Sequence, residues 1–418
     1  MGVNSCGTTM LDQGAFVGLA SVNWDTTPKT ANFTAVSGNG YFVNTTSGTI
    51  TVTMPASPSA GDIVGIKDYA GTFGTNGVTI SRNGSNFDGL ETDPVLITNQ
   101  LSVLFVYVDG TQGWKSTQSD SADYGTSFIT ATGGTITCCG DFRIHTFTSP
   151  GTFSVLGLSN LPTNNDVDYL VVAGGGGGGG FGGGGAGGYR ESDGTATGCY
   201  SVSPLGACVS ALPVSVSPYP ISVGSGGAGS AAPQLEGTDG SNSVFSTITS
   251  AGGGGGGAFG PPGESLGRNG GSGGGGGALN TPPYPGQAGG TGNTPPVSPP
   301  QGNNGGTGQP GGNAGGGAGG ASASGGNASS TVGGNGGNGV ATSISSSSVT
   351  RAGGGGGAGS GTRGIGGSGG GGNGENDSSP TEPAEAGTIN TGGGGGGSYV
   401  DSGASGGSGI VIIRYRYQ

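Results

Sequence analysis

The chain has 418 residues, of which 108 are glycine, while charged residues make up 8% and hydrophobic residues 30%. A conventional hydrophobic core therefore cannot extend through the whole chain. The formal net charge of −12, with only 11 lysines and arginines, excludes the basic surface that binds nucleic acid. No apolar run approaches the ~20 residues that span a bilayer, so we expect no membrane insertion.

Residues 1–30 are polar and contain one large side chain, Trp24, which is typical of an extended docking arm. From residue 31 to residue 118, short alternating runs are separated by turn signals such as Asn76-Gly77. This spacing predicts an all-β sandwich. The stretch SRNGSNFDG offers side-chain oxygens from Asn83, Asn86 and Asp88, which would suit a sugar or a calcium ion. These residue types are also the ones that tight turns require, and we interpret the stretch as a turn.

Two stretches of this region, GDIVGIKDYAGTFGTNGVTISRNGSNFDG and VYVDGTQGWKS, resemble a β-domain of phage tail proteins. This domain recurs in tail fibres and other structural tail proteins of tailed bacteriophages. The resemblance covers residues 35–118 and implies that the N-terminal region attaches the protein to other tail or baseplate proteins.

A short polar linker is predicted over residues 119–139, followed by a glycine-rich domain over residues 140–418. Its glycine tracts begin directly after the β-branched run at 167–172 and end directly before the run at 410–417. Pairing of these two runs would clamp both ends of the glycine region in one small sheet.

The interruptions of the glycine tracts fall three residues apart, as with Asn335 and Asn338, or Ser402, Ser405 and Ser408. Three residues per turn is the period of a polyproline-II-type helix, which has no internal hydrogen bonds. Parallel helices with bare faces can exchange N–H···O=C bonds and so satisfy their backbone groups collectively. The sequence therefore predicts a polyglycine-II helix bundle and no α-helical domain.

The bracketed arrangement, with DYLVVAGGGGGGG at its start, YPISVGSGGAG and SAGGGGGG inside it and GIVIIRY at its close, resembles the glycine-rich domain of phage tail proteins. Its tracts are also similar to those of polyglycine-sandwich adhesins that cap long tail fibres. The resemblance implies a homotrimeric virion protein of the tail that acts at the host cell exterior and binds a surface glycan or an outer-membrane protein. Two alternatives stay open: a purely structural tail or baseplate component with the glycine domain as spacer, and a polysaccharide-degrading tail enzyme.

Candidate catalytic chemistry is sparse, and we expect no enzyme, cofactor or metal. The one histidine, His145, has no nucleophile-elbow motif near it, and the adjacent Cys138 and Cys139 do not supply four metal ligands with it. The acidic cluster of Glu375, Asp377, Glu382 and Glu385 is interpreted as a solvated loop. Cys199 and Cys208 flank one insert, and either a disulfide or two buried thiols fits them.

If the bracketing strands are antiparallel, the chain must pass through the bundle an even number of times. A tracing with eight passes places four loops, 189–218, 258–270, 321–350 and 374–391, at one end, and the proline-rich insert around Tyr284 at the other. One further pass would exchange the ends. Loops on a rigid scaffold are typical recognition elements, and aromatic and arginine side chains suit sugars or protein loops. With Arg351 at an edge, the predicted receptor-binding residues are Tyr189, Arg190, Tyr200, Phe259, Arg268, Glu375 and Asp377.

Overall fold

The computed structural model describes residues 22–117, 128–159, 164–195, 200–206, 209–232, 235–260, 265–278, 286–379 and 382–417, together with short strands near the N-terminus. The chain forms two compact units, Met1–Ser127 and Phe128–Gln418. The described residues contain β-strands and no α-helix, which confirms the predicted all-β class. Among them, no helix has the length and apolar character that crossing a membrane requires.

The N-terminal unit contains a β-sandwich whose two sheets enclose one core. The strands of this unit are β1 (Asn4–Ser5), β2 (Thr8–Thr9), β3 (Leu11–Asp12), β4 (Ala15–Phe16), β5 (Asn23–Lys29), β6 (Phe33–Thr34), β7 (Asn39–Val43), β8 (Ile50–Thr53), β9 (Ile63–Asp68), β10 (Val78–Ser81), β11 (Val95–Leu96), β12 (Ser102–Asp109) and β13 (Gly113–Ser116). One sheet of the sandwich has the order β13-β12-β9-β7-β5 and the other β11-β10-β8-β6.

The chain alternates between the two sheets from β5 to β10, so the pairs β5–β7, β7–β9, β6–β8 and β8–β10 are all parallel. Antiparallel strands β11, β12 and β13 complete the sheets. The alternating apolar positions of these strands face one buried cluster that includes Val52, Ile66, Ile80, Phe105 and Trp114. The sandwich begins earlier than predicted, because β5 lies within the arm assigned to residues 1–30.

The SRNGSNFDG stretch forms turns. Asn83 and Asp88 have positive φ angles of 48° and 49°, a conformation that Asn and Asp tolerate better than most residues. The Asn83 side chain donates to the carbonyl of Met54, and the Asp88 carboxylate pairs with Lys115 at 2.9 Å. These side chains hold neighbouring loops, as the turn interpretation predicts.

The strands of the second unit are β14 (Thr130–Thr132), β15 (Thr135–Cys139), β16 (Phe142–Phe147), β17 (Gly151–Gly157), β18 (Asp166–Val172), β19 (Tyr189–Glu191), β20 (Leu212–Pro213), β21 (Pro218–Ser222), β22 (Ser243–Phe245), β23 (Ile248–Ser250), β24 (Val340–Thr342), β25 (Val349–Arg351) and β26 (Ile410–Arg416). Its two main sheets have the orders β14-β17-β21-β22-β23 and β15-β16-β26-β18-β19, with β20 paired to β18. Strands β14 and β15 lie in the segment predicted as a linker, where their residues pair with β17 and β16.

The predicted clamp is present: β18 and β26 pair antiparallel, with Val172 opposite Ile410 and Asp168 opposite Arg414. Alternate residues of this pair enter two buried clusters. Tyr169 and Ile413 belong to the cluster that includes Phe153 and Phe245, whereas Leu170 and Ile412 belong to the cluster that includes Tyr189 and Ile344. The two ends of the glycine region are thus fixed in a sheet that is buried on both faces.

The glycine tracts form straight segments that bond sideways with a period of three residues; we call each segment a rod. In the rod 174–180, Gly176 and Gly179 donate to the carbonyls of Gly185 and Gly182, while Gly175 and Gly178 donate to Gly407 and Ala404. Gly174, Gly177 and Gly180 donate to Ser241, Thr238 and Leu235. Residues three apart in the rod therefore donate to the same neighbour, and the three sets of such residues donate to three different neighbours. This is the hydrogen-bonding pattern of a polyglycine-II bundle.

The rods form a hexagonal array. The central rod, 182–188, exchanges main-chain hydrogen bonds with six rods, and these six also bond to one another in a closed ring. We call them the inner ring; in ring order they are 174–180, 251–258, 272–278, 315–321, 352–359 and 392–398. An outer ring surrounds them: 223–230, 236–242, 265–271, 286–292, 302–309, 322–328, 333–339, 362–368, 371–375, 384–390 and 402–409.

The rods run alternately away from the sheet and back to it, so their number is even, as the antiparallel clamp requires. The tracing with eight rods is wrong, because many returns are short turns between glycines rather than long inserts. The turn at 180–182 is one example, and the turn at 369–370 is another. This tracing places residues 189–195, 200–206, 209–222 and 340–351 at the sheet end. Residues 376–379 and 382–384 lie at the opposite end, which we call the distal end.

Candidate functional site

An aromatic cluster lies at the distal end, at the turn that leads into the central rod. Phe181 forms this turn, and its ring stacks with Phe259 at a centroid distance of 5.4 Å and meets Tyr399 at 4.8 Å. Phe259 follows one inner rod and Tyr399 follows another. Phe181 is 3% exposed, and the other two rings are partly exposed. We call these three residues the tip cluster.

Phe181 has a φ angle of 131°, which is costly for a residue with a side chain. Its carbonyl accepts from Ala358, and its ring is packed between the other two aromatic rings. Strained residues of this kind persist where surrounding contacts fix them. Packing of the ring therefore holds a conformation that glycine alone would adopt freely.

Two exposed aliphatic residues, Val400 and Leu235, lie at the same end of the bundle as the tip cluster. Val400 follows Tyr399 directly and is 53% exposed. Leu235 is 52% exposed, and its carbonyl accepts from Gly180, the residue before Phe181. The distal end thus presents apolar and aromatic groups on a support held by main-chain hydrogen bonds.

The acidic cluster fixes the distal turns and is only partly solvated, contrary to the predicted solvated loop. Glu375 is buried, and its carboxylate accepts from the Ser398 hydroxyl at 2.5 Å and from the Val400 N–H at 3.2 Å. Glu385 pairs with Arg363 at 3.1 Å, and Arg363 also lies 3.9 Å from Glu382. The carboxylates therefore join the segments 375–379 and 382–385 to the turn at 398–400 and to Arg363 of the neighbouring rod.

Asp377 and Glu385 are the exposed members of this cluster. Burial of Tyr399, together with the nearby Asp377 carboxylate, raises the pKa of the Tyr399 phenol. The phenol therefore stays neutral and available as a hydrogen-bond donor at physiological pH. The distal end combines a phenol, a carboxylate and apolar rings within one surface.

Three of the predicted receptor-binding residues lie at the sheet end instead. Tyr189 is 1% exposed and its hydroxyl donates to Glu191 at 2.8 Å. Arg190 lies beside it in β19, and the Tyr200 hydroxyl donates to the Ser192 carbonyl at 2.7 Å. Tyr189 belongs to a buried cluster, so its prediction as a surface contact is wrong. The first glycine tract returns at Phe181, which places residue 189 back at the sheet.

Arg268 and Arg351 also lie away from the distal turns. Arg268 is in the middle of the outer rod 265–271, where its guanidinium contacts the Asp239 carboxylate through two bonds of 2.8 and 2.9 Å. Arg351 is buried at the end of β25. Of the seven predicted residues, the structure brings Phe259, Glu375 and Asp377 to the distal end, and Glu375 is buried there. Cys199, Cys208 and Tyr284 lie outside the described residues.

Sequence reasoning missed Phe181, Tyr399 and Leu235. Phe181 is the single non-glycine residue between two long glycine tracts, and that isolation is the signal that a turn requires a side chain there. Tyr399 similarly lies two residues after the tract at 392–397. A bulky aromatic residue within two positions of a long glycine run indicates where these rods end.

His145 has a structural role, because both ring nitrogens are engaged in hydrogen bonds within the protein. Its Nδ1 donates to the Gly133 carbonyl at 2.7 Å, and its Nε2 accepts from the Tyr415 hydroxyl at 3.0 Å. Burial lowers the pKa of the imidazole. In the described part of the chain, His, Cys, Asp and Glu side chains form no group of three or more that could hold a metal ion.

These observations define a class: all-β proteins whose larger unit is a bundle of glycine-rich rods closed by an antiparallel sheet. The chain belongs to the glycine-rich domain family, whose match covers residues 148–416. The match ends at the last residue of β26 and therefore contains the rods together with both clamping strands. No curated protein matches the sequence.

Proposed function

We propose that this chain is a structural, non-enzymatic protein of a bacteriophage tail that binds the host cell surface through the distal end of its rod bundle. In this proposal the N-terminal unit joins other tail or baseplate proteins, and the protein acts as a trimer outside the host cell. The resemblance of both units to phage tail proteins supports the assignment.

The observation that carries the proposal is the tip cluster on a rigid support. Aromatic rings with a neighbouring phenol and carboxylate suit a sugar or a protein loop, through stacking and hydrogen bonds. Because the rods are fixed by main-chain bonds, residues of the turns can vary without loss of the scaffold. A surface glycan or an outer-membrane protein is the expected receptor.

Adsorption competition tests the proposal. The purified full-length chain should bind cells of the host and reduce adsorption of the phage, and the variants F259S and Y399S should lose this effect. The matched control S405A changes an exposed residue on the side of the bundle and should compete as well as the unchanged chain. If the unchanged chain does not compete, the bundle acts as a spacer and the receptor role is wrong.

A further inference from the structure

The outer ring is incomplete at one corner of the hexagon. A corner rod bonds to one inner rod and to the outer rods on either side of it. Five inner rods have such a neighbour: 174–180 has 223–230, 272–278 has 286–292, 315–321 has 322–328, 352–359 has 362–368, and 392–398 has 384–390. Within the described residues, no main chain occupies the corner beside the inner rod 251–258; we call this place the open corner.

Side-chain oxygens occupy the positions of the absent carbonyls at the open corner. Gly252 and Gly255 donate to Oδ1 of Asn242 and Oδ1 of Asp239, each at 2.9 Å. In the equivalent corner, Gly317 and Gly320 donate to main-chain carbonyls of the rod 322–328 at 2.9 Å. At the open corner the inner rod therefore presents two N–H donors, of Gly252 and Gly255, which in the equivalent corner would bond to the carbonyls of a corner rod.

The flanking outer rods leave further main-chain groups unpaired. The N–H and C=O groups of Asp239, Asn242, Leu266 and Asn269 bond to no described partner. A strand at the open corner would touch three rods, whereas a strand added elsewhere on the outer ring would touch at most two. More backbone groups can be satisfied at the open corner than at the rest of the perimeter.

The side chains over the open corner can move aside. Arg268 joins Asp239 and lies 3.5 Å from Glu236, but its side chain is 46% exposed. Solvent screening weakens an ion pair at this exposure. Displacement of Asp239 and Asn242 by main-chain carbonyls leaves the N–H groups of Gly252 and Gly255 bonded, and it costs only the contact between Asp239 and Arg268.

We propose that the open corner binds an extended strand of a partner chain, in polyproline-II conformation and rich in small residues. Its carbonyls replace Asn242 as the acceptor for the Gly252 N–H and Asp239 as the acceptor for the Gly255 N–H. The corner rods show what such a strand contains: residues 322–328 read SASGGNA and residues 384–390 read AEAGTIN. Only the face toward the bundle must be glycine or alanine, because the remaining faces are exposed.

A synthetic peptide with the sequence of residues 322–328 tests the proposal on the full-length chain. In the variant D239A/N242A the competing acceptors are absent, so the peptide should bind at least tenfold more tightly than to the unchanged chain. Peptide binding should also slow amide hydrogen exchange at Gly252 and Gly255. Protection of Gly183 in the central rod shows that the bundle is intact, and N242A alone serves if the double variant does not fold.

The matched control is N335A/N338A, which removes two asparagine acceptors with the same spacing from an outer rod. These side chains accept from the N–H groups of Ile365 and Ser368, where an added strand would touch fewer rods. This control should bind the peptide no better than the unchanged chain. Equal binding by both variants, or no slowing at Gly252 and Gly255, would overturn the proposal.

Discussion

At the scale of single residues, glycine is required by the distance between rods. A Cβ atom at Gly178 would lie 1.9 Å from the carbonyl oxygen of Gly396 and 2.5 Å from its carbonyl carbon. Both atoms belong to the backbone of another rod and cannot move aside. The close approach also gives each inner glycine Cα–H···O contacts in addition to its N–H bond.

Substitution of Gly178 by alanine should therefore destabilise the second unit by at least about 3 kcal/mol, at the upper end of the usual cost of overpacking. Chemical denaturation of the full chain measures the effect. The control G110A adds a Cβ where no atom lies within 4 Å and should change stability by less than about 0.5 kcal/mol. Equal stability of both variants would show that the rods are not this closely packed.

Glu375 holds the turn at residues 398–400 through its carboxylate. Its buried carboxylate accepts from Ser398 and Val400, so E375Q replaces a charged acceptor by a neutral one. Hydrogen bonds to charged groups contribute roughly 1.5 to 3 kcal/mol. The free energy of local opening of this turn should therefore fall by a comparable amount. Hydrogen exchange at Val400 should quicken in E375Q and stay unchanged in D377N, because Asp377 is exposed. Unchanged exchange in E375Q would contradict this role.

At the scale of elements, the clamp sheet contains a pH-dependent contribution to stability. Burial lowers the pKa of His145 in β16 below its ordinary value of 6.5. As pH falls, His145 is therefore protonated at a higher pH in the unfolded chain than in the folded chain, and this protonation favours unfolding. The contribution is complete above about pH 6.5 and is lost as pH falls through the pKa of the folded state.

The variant H145Q should remove this part of the pH dependence while its amide keeps polar contact with Gly133 and Tyr415. Below pH 6.5 the free energy of unfolding should fall less steeply in H145Q than in the unchanged chain. Burial raises the pKa of Glu191, which gives an opposite slope, but that slope is common to both proteins and cancels in the comparison. Parallel pH profiles would contradict the prediction.

The elements that sequence predicted well are those with a strong local signal. The β-branched runs at 167–172 and 410–417 defined both clamping strands, and the three-residue spacing of Asn335 and Asn338 placed both side chains on an exposed face. The order of the rods was not predictable in this way. Identical glycine tracts carry no information about which neighbour they bond, and side chains such as Phe181 indicate only where a rod turns.

At the scale of the whole molecule, the array explains how a chain with so little apolar content folds. Ordering a backbone costs roughly 1 to 2 kcal/mol per residue, and a single rod has no internal bonds that offset it. Main-chain hydrogen bonds from the central rod to six neighbouring rods offset this cost, and each of those rods is bonded in turn to others. Formation of the second unit should therefore be cooperative, with the clamp sheet fixing the first and last rods.

The same arrangement determines which of the predicted loop residues lie at the distal end. Phe259 and Asp377 lie there, and their contact with a receptor stays a prediction. Tyr189, Arg190 and Tyr200 lie at the sheet because one short turn at Phe181 reverses the first tract. The end at which a loop lies depends on every earlier turn, so one unrecognised turn moves all later loops.

Amide hydrogen exchange resolved at individual glycines is the sharpest test of whether the rods bond to one another through their main chains. In the central rod, the amides of Gly183, Gly184 and Gly185 donate to carbonyls of three other rods, whereas those of Gly226 and Gly229 in the outer ring donate to no described partner. The first set should be strongly protected, approaching the global stability of the unit, and the second set should exchange almost without protection. Rapid exchange at both sets would show that the glycine tracts are not a hydrogen-bonded array.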